Sequence, residues 1–331
     1  MKRKLIIVLV IICIIAGGSY IKYHRRVVIS VSDEKNQTEE VKIQRDFYDA
    51  EYNTNILSNI NMIELHNDKI KYKYEFVFMA DLHASIMDES ELDEKIRNSL
   101  VERNNLFTTL NSNHISSDKI FPEIIDYTNN INANALLLGG DIIDSPSNSN
   151  IQFLRENLKR VKTDYLYTFG NHDWTFEWDY QTKETEEKYY PVFLEFMEDN
   201  QVSYLEYEDL IILAINNGKG KIEEIVIDRV KEILEKKKPT IIMLHVPIAT
   251  ENIVEAEKNI RNRVTSLGGN GVKTDEATQS LIDMIVSDEY NVFYILAGHV
   301  HFAVNDNINE KIIEEVTDPA YDGKIDLIKI N

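Results

Sequence analysis

From Tyr72 onward the chain alternates between two spacings of apolar residues. Short β-rich runs, Tyr74 to Ala80, Ala135 to Leu138, Tyr165 to Phe169, Leu210 to Ile215, Thr240 to Leu244 and Val292 to Ala297, predict strands. Between them apolar residues recur at helical spacing, as in Ile151, Leu154, Leu158 and Val161, or Val226, Val230, Ile233 and Leu234. A further helix is expected from about Asp275 to Val286. The alternation predicts an α/β domain whose strands are buried on both faces, with no internal repeat.

The N-terminal part departs from this pattern. Leu5 to Ile21 carries no charge, and it is bracketed by Lys2, Arg3 and Lys4 on one side and Lys22, Arg25 and Arg26 on the other. Its length is at the short end of a bilayer span. Residues 1–26 therefore read as a membrane anchor or as a signal peptide: Ala16 and Gly18 suit a cleavage site, while the basic residues after the run favour an uncleaved anchor. A short N-terminal tail retained in the cytoplasm makes the protein single-pass with its main domain extracytoplasmic, or secreted if the run is cut. Residues 27–71 are polar, with one β-like stretch from Val27 to Val31 and no sustained periodicity. They read as a stalk merging into the edge of a domain spanning 72–331.

Composition narrows the partners. The 331 residues, 43% hydrophobic and 28% charged, suit one globular domain plus an appendage. A net charge of −20 repels the backbone of nucleic acids, so a nucleic-acid partner is not expected. Nothing in the sequence points to a protein partner. The single cysteine, Cys13, permits neither a disulfide framework nor a cysteine-rich zinc site within one chain. Lipid attachment there is not expected, because Ile12 stands where a lipoprotein signal needs a small residue.

The candidate chemistry sits where the expected strands end. Asp81 and His83 follow the first run, Gly140, Asp141 and Asp144 the second, and Gly170, Asn171, His172 and Asp173 the third. His245 follows Thr240 to Leu244, and Gly298, His299 and His301 follow the last run. In open α/β sheets the carboxyl ends of strands line the ligand crevice, so residues far apart in sequence converge there. A lone histidine is ordinarily a hydrogen-bonded structural residue. Five clusters in this position, holding five of the eight histidines, are not expected by chance. Imidazole mixed with carboxylate oxygen suits Mn, Fe or Zn rather than calcium, and the ligand set is long enough for two ions.

Taken in order, Asp81-x-His83, Gly140-Asp141-x-x-Asp144, Gly170-Asn171-His172-Asp173, His245 and Gly298-His299-x-His301 resemble the signature of the calcineurin-like metallophosphoesterases. The resemblance spans about Tyr72 to Asn331. It implies two packed β-sheets flanked by helices, a four-layer sandwich. It also implies that Asp81, His83 and His301 hold one divalent metal, that Asn171, His245 and His299 hold a second, and that Asp141 bridges them. His172 would be the catalytic acid and Asp144 the residue that orients it, with a helix cap or turn as the ordinary alternative for Asp144. Two such cations lower the pKa of a bridging water so that hydroxide forms near neutral pH, and they clamp the phosphate oxygens.

The expected activity is metal-dependent hydrolysis of a phosphomonoester or phosphodiester, small or membrane-associated. A non-catalytic scaffold on the same fold and a nuclease are the alternatives. Ser145 stands where the family's protein phosphatases carry an arginine that grips phosphate, and Asp144 where purple acid phosphatases use a tyrosine ligand, which turns the reading from both branches. Trp174 and Trp178 read as packing residues beside the catalytic loop, and His114 as a solvent-exposed loop residue. The Gly-rich segment from Ser266 to Gly271 could bind phosphate at the start of the following helix, but reads better as a mobile rim loop.

Overall fold

The computed structural model describes residues 44–47, 56–88 and 91–331. Among these, twelve strands form two six-stranded sheets. The first is ordered β1 (Gln44–Phe47), β2 (Asn59–Leu65), β12 (Lys324–Ile330), β3 (Tyr74–Met79), β4 (Ala135–Leu138) and β5 (Asp164–Tyr167). The second is ordered β10 (Val304–Asn307), β11 (Ile313–Val316), β9 (Val292–Ala297), β8 (Thr240–Met243), β7 (Ile211–Ile215) and β6 (Val202–Glu206).

Successive side chains leave a strand on opposite faces, and in the inner strands both faces are apolar. Phe76 and Phe78 of β3 join Ile212, Met243 and Leu296 in the core between the sheets. Their neighbours Val77 and Met79 face the other way, onto α2 (Ser117–Asn130), α3 (Asn148–Leu158) and α4 (Lys183–Phe193). On the far side, Ile211, Leu213 and Ile242 pack against α5 (Glu224–Leu234) and α7 (Glu276–Val286). The result is the four-layer arrangement that the resemblance implied. Two insert helices, α1 (Glu94–Leu110) and α6 (Glu251–Arg261), follow the β3 and β8 ends respectively.

The first sheet extends further back along the chain than the sequence pattern suggested. Asn59–Leu65, assigned above to a stalk, is an inner strand pairing in parallel with β12, which in turn pairs antiparallel with β3. Polar residues interrupt the apolar pattern of these strands, and the sheet pairs them laterally: Asn61 Nδ2 donates to Asp326 Oδ1 at 2.9 Å, and Lys329 meets Glu75 at 3.0 Å. Among the described residues no helix is long and apolar enough to cross a membrane. The apolar run 5–21 and the stretch 27–31 lie outside the described residues.

One buried acid gives the fold a pH dependence. Glu314 of β11 is fully buried; its Oε1 accepts from the Ile248 N–H at 2.8 Å and its Oε2 has no partner. Burial, reinforced by the charge of Asp306 on the facing strand, pushes its carboxyl from 4.5 up to about 8. Between those values the folded chain keeps a proton that the unfolded chain has released. Stability contributed by this group is therefore full below about pH 4.5 and lost as pH rises through about 8. Glu314→Gln keeps the acceptor and removes the titration. Its stability relative to wild type, read from thermal midpoints, is expected to improve from pH 5 to about 8 and level off above that, by on the order of 4 kcal/mol in all. A difference that stays flat with pH would show that Glu314 does not titrate in this range.

Candidate metal centre

Backbone geometry at the strand ends aims the ligand side chains. Asp81, His83, Asp141, His299 and His301 all adopt positive φ, between 49° and 73°. Such a conformation costs a residue other than glycine on the order of 1 kcal/mol or more, so five together mark a site over-determined by its surroundings. Gly140, at φ +91°, lies so close to its neighbours that a Cβ there would sit 2.5 Å from Gly170 N and 2.7 Å from His245 Nδ1. This close approach brings the loops after β4, β5 and β8 together.

Asp173 ties two of these loops. Its carboxylate accepts from the backbone N–H groups of Asp141, Ile142, Ile143 and Gly170 at 2.7 to 3.1 Å and from the Tyr167 hydroxyl at 2.7 Å. Burial and the neighbouring charge of Asp141 outweigh these donors and push its pKa up to about 6. Asn217 performs a similar task for His245: its Oδ1 accepts from the His245 and Val246 N–H groups at 2.9 and 3.0 Å.

Six of the seven ligand candidates, all but Asn171, converge as two groups sharing Asp141. Asp81, His83, Asp141 and His301 form one, and Asp141, His245 and His299 the other, with donor atoms inside each group within 4.8 Å of one another. Two imidazoles have their tautomers set by outer partners. His83 Nδ1 lies 2.7 Å from Asp144 Oδ1 and His245 Nδ1 lies 2.9 Å from the Gly139 carbonyl oxygen, so each can donate there and present a bare Nε2 inward. Those inward nitrogens face other acceptors. His83 Nε2 is 3.1 Å from His301 Nε2 and 3.6 Å from Asp141 Oδ2, and His245 Nε2 is 3.2 Å from Asp141 Oδ2 and 3.3 Å from His299 Nδ1.

Converging lone pairs of this kind repel unless a proton or a metal cation lies among them. Asp81 Oδ1 and Asn171 Oδ1 are both buried without a hydrogen-bond partner, as metal-ligand atoms would be. The donor set, imidazole with carboxylate and amide oxygen, fits a first-row divalent ion.

The buried charges also shift one another's titration. Burial disfavours the Asp81 anion, but His301 and His245 prevail and hold its pKa at about 2; Asp141 is likewise held low against burial by His245 and His172. Burial also works against a charge on His245, yet Asp141 raises its pKa to about 9, while burial and His245 drive His299 down to about 3.

Beside the metal groups stands the proposed acid. His172 is 30% exposed, its N–H donates to Asp141 Oδ1 at 2.7 Å, and its Nδ1 lies 3.2 Å from Asp144 Oδ1. Burial lowers its pKa, but the carboxylates of Asp141 and Asp144 win and raise it to about 9. Cations at Asp141 would cancel part of that support and return the ring toward neutral-pH titration.

A sequence profile of the calcineurin-like phosphoesterases matches residues 74–303, which contain every one of these residues. The chain belongs to the calcineurin-like phosphoesterase family. As a metallophosphoesterase it is a phosphoester hydrolase with candidate metal ligands in place. No curated protein sequence matches it. Among solved structures, a dimetal phosphatase from Danio rerio is similar at 11% identity and TM-score 0.47, covering 75% of this chain and 88% of that one. The protein TT1561 of Thermus thermophilus is similar at 12% identity and TM-score 0.43, covering 76% and 91%. Purple acid phosphatase PPD1 from yellow lupin (Lupinus luteus) seeds is similar at 12% identity and TM-score 0.44, covering 80% and 47%.

Several other residues of this metallophosphoesterase take simpler places. Trp174 is buried against Tyr190, and Trp178 is covered by Phe176, stacked at 4.8 Å, and by the Lys95 ammonium at 3.8 Å. His114 is exposed. The Gly-rich segment is pinned rather than loose: Leu267 bridges Ile248 and Val272, and buried Glu257 accepts from Thr265 and Ser266. The N-terminus of α7 behind it is already capped by the Asp275 carboxylate, which accepts from Thr278 N–H, so it is not an open anion site.

Residues that the sequence did not single out also reach the centre. Arg103 and Phe107 come from α1, and Tyr321 from the short helix Ala320–Asp322 before β12. Arg261 of α6 donates to the His299 carbonyl oxygen at 3.0 Å.

Proposed function

We propose that this protein hydrolyses a small or membrane-associated phosphomonoester or phosphodiester with two divalent cations, Mn, Fe or Zn. Asp81, His83 and His301 would hold one and Asn171, His245 and His299 the other, with Asp141 available to both. The reading is carried by the inward-facing lone pairs of His83, His301, His245 and His299 around the Asp141 carboxylate. Bound there, the cations supply an acidified water and neutralise charge on the phosphate oxygens. His172, at the more exposed side of the centre, donates a proton to the departing oxygen, and Asp144 holds its Nδ1–H so that Nε2 is the atom turned to substrate. Ser145 supports a substrate other than phosphoprotein: it is buried, and its carbonyl and hydroxyl oxygens accept from Asn150 Nδ2.

The apolar run 5–21 supports a single-pass anchor with the hydrolase domain outside the cytoplasm, or secretion if the run is removed. The full-length protein, purified in detergent, stripped with chelator and reloaded with Mn, Fe or Zn, is expected to cleave chromogenic mono- or diesters only when loaded. A broad ester panel without metal-dependent turnover would count against the proposal and revive a scaffold role. Cleavage of DNA at physiological salt would instead favour a nuclease.

A further inference from the structure

We propose that Arg103 of α1 is a positioning residue that locks the Asp144 carboxylate and, through it, sets the imidazole of His172; this rests on the hydrolase reading above. Asp144 is 3% exposed and its two oxygens are unequally shared. Oδ1 meets His83 Nδ1 at 2.7 Å, His172 Nδ1 at 3.2 Å and Arg103 Nη2 at 2.8 Å. Oδ2 meets Arg103 Nε at 2.5 Å. Both imidazoles thus lean on a single oxygen, and the terminal torsion of an aspartate lies in a broad well that does not hold the carboxylate plane. The guanidinium engages both oxygens at once, and its planar fork fixes that plane; a lysine would supply charge without this constraint.

The helix carrying Arg103 is itself fastened around the site. Asn104 Nδ2 donates to the Ser85 carbonyl oxygen at 3.0 Å, Asn111 Nδ2 to the Tyr321 carbonyl oxygen at 2.8 Å, and the Ser112 N–H to Asp322 Oδ1 at 2.7 Å. One turn beyond Arg103, Phe107 stacks on the His83 ring with centroids 4.3 Å apart and planes 11° from parallel. The guanidinium carbon lies 5.0 Å from the centroid of the same phenyl ring. One face of α1, read at i and i+4, therefore holds the ring of a metal-ligand candidate and the carboxylate that it shares with the acid.

The test compares wild type, Arg103→Met and Arg103→Lys as full-length, metal-loaded protein on two esters. One has an aryl leaving group that departs without help, and the other an alkyl leaving group that needs a proton. For Arg103→Met, kcat on the alkyl ester is expected to fall roughly 10- to 100-fold, with KM and aryl turnover changing less than about threefold. Arg103→Lys should recover part of the loss, and bound metal should stay at the wild-type level. Independently of turnover, in 15N-histidine-labelled protein the Nδ1–H resonance assigned through His172→Gln should shift in Arg103→Met. If Arg103→Met does not fold, Arg103→Lys reads the same ester split and the same resonance.

Equal loss on both esters, a loss carried by KM, an emptied metal centre or an unmoved His172 resonance would each overturn the inference. Should wild type cleave neither ester with any metal, the hydrolase reading fails, and the resonance comparison alone decides whether Arg103 orients His172.

Discussion

Replacing Asp141 with Asn is expected to lower kcat/KM on the order of 10³-fold or more and to deplete bound metal, because charge stabilisation by metal ions is worth several kcal/mol. Asp141 is the member common to both ligand groups, and its Oδ2 faces His245 at 3.2 Å and His83 at 3.6 Å. An amide NH2 at that atom would turn a donor toward nitrogens arranged as ligands. The other oxygen can still accept from the His172 N–H, so the loop should keep its path. Metal analysis after reconstitution separates the outcomes: a variant retaining full metal content would show that Asp141 does not bridge.

His172→Gln should behave differently, losing turnover by roughly 10²- to 10⁴-fold while retaining metal. Its ring borders the ligand groups without being shared between them, and its contacts run to Asp144 through Nδ1 and to Asp141 through the backbone. The loss should be steepest for esters with poor leaving groups. If the variant instead came back empty of metal, His172 would be acting as a ligand and not as an acid.

Much of this centre could be read from sequence because it lies where apolar runs stop. The runs Ala135 to Leu138 and Val292 to Ala297 coincide with β4 and β9 at both ends, and each is followed directly by glycine and ligand candidates. Short inner strands covered on both sides leave an uninterrupted apolar signal. The strands that escaped detection lack it. β10 reads Val-Asn-Asp-Asn, β11 places Glu314 and Glu315 in buried positions, and the polar residues of β2 and β12 are matched only once the two strands lie side by side.

Arg103 was hidden for a related reason. Of the residues in α1, only Leu100 and Phe107 are buried, so the helix shows little amphipathic pattern, and a lone arginine within it carries no spacing cue. Its partner, Asp144, lies 41 positions away. The Gly-rich segment misled in the other direction: glycines suggested looseness, whereas the restraint comes from Glu257, a carboxylate on a neighbouring helix.

The place of β12 bears on how the chain is made. β2 and β3 must leave a gap for a strand translated about 250 residues after β3, a delay on the order of 10 to 50 s at usual rates of synthesis. Throughout that interval both carry unpaired edges, open to pairing with other chains. The segment just before β12 closes the same gap over the metal centre, with Ala320 and Tyr321 N–H groups donating to the Ala80 and Asp81 carbonyl oxygens. A nascent chain therefore has no finished wall on this side of the centre until the late strand arrives, and its first sheet keeps two open edges until then.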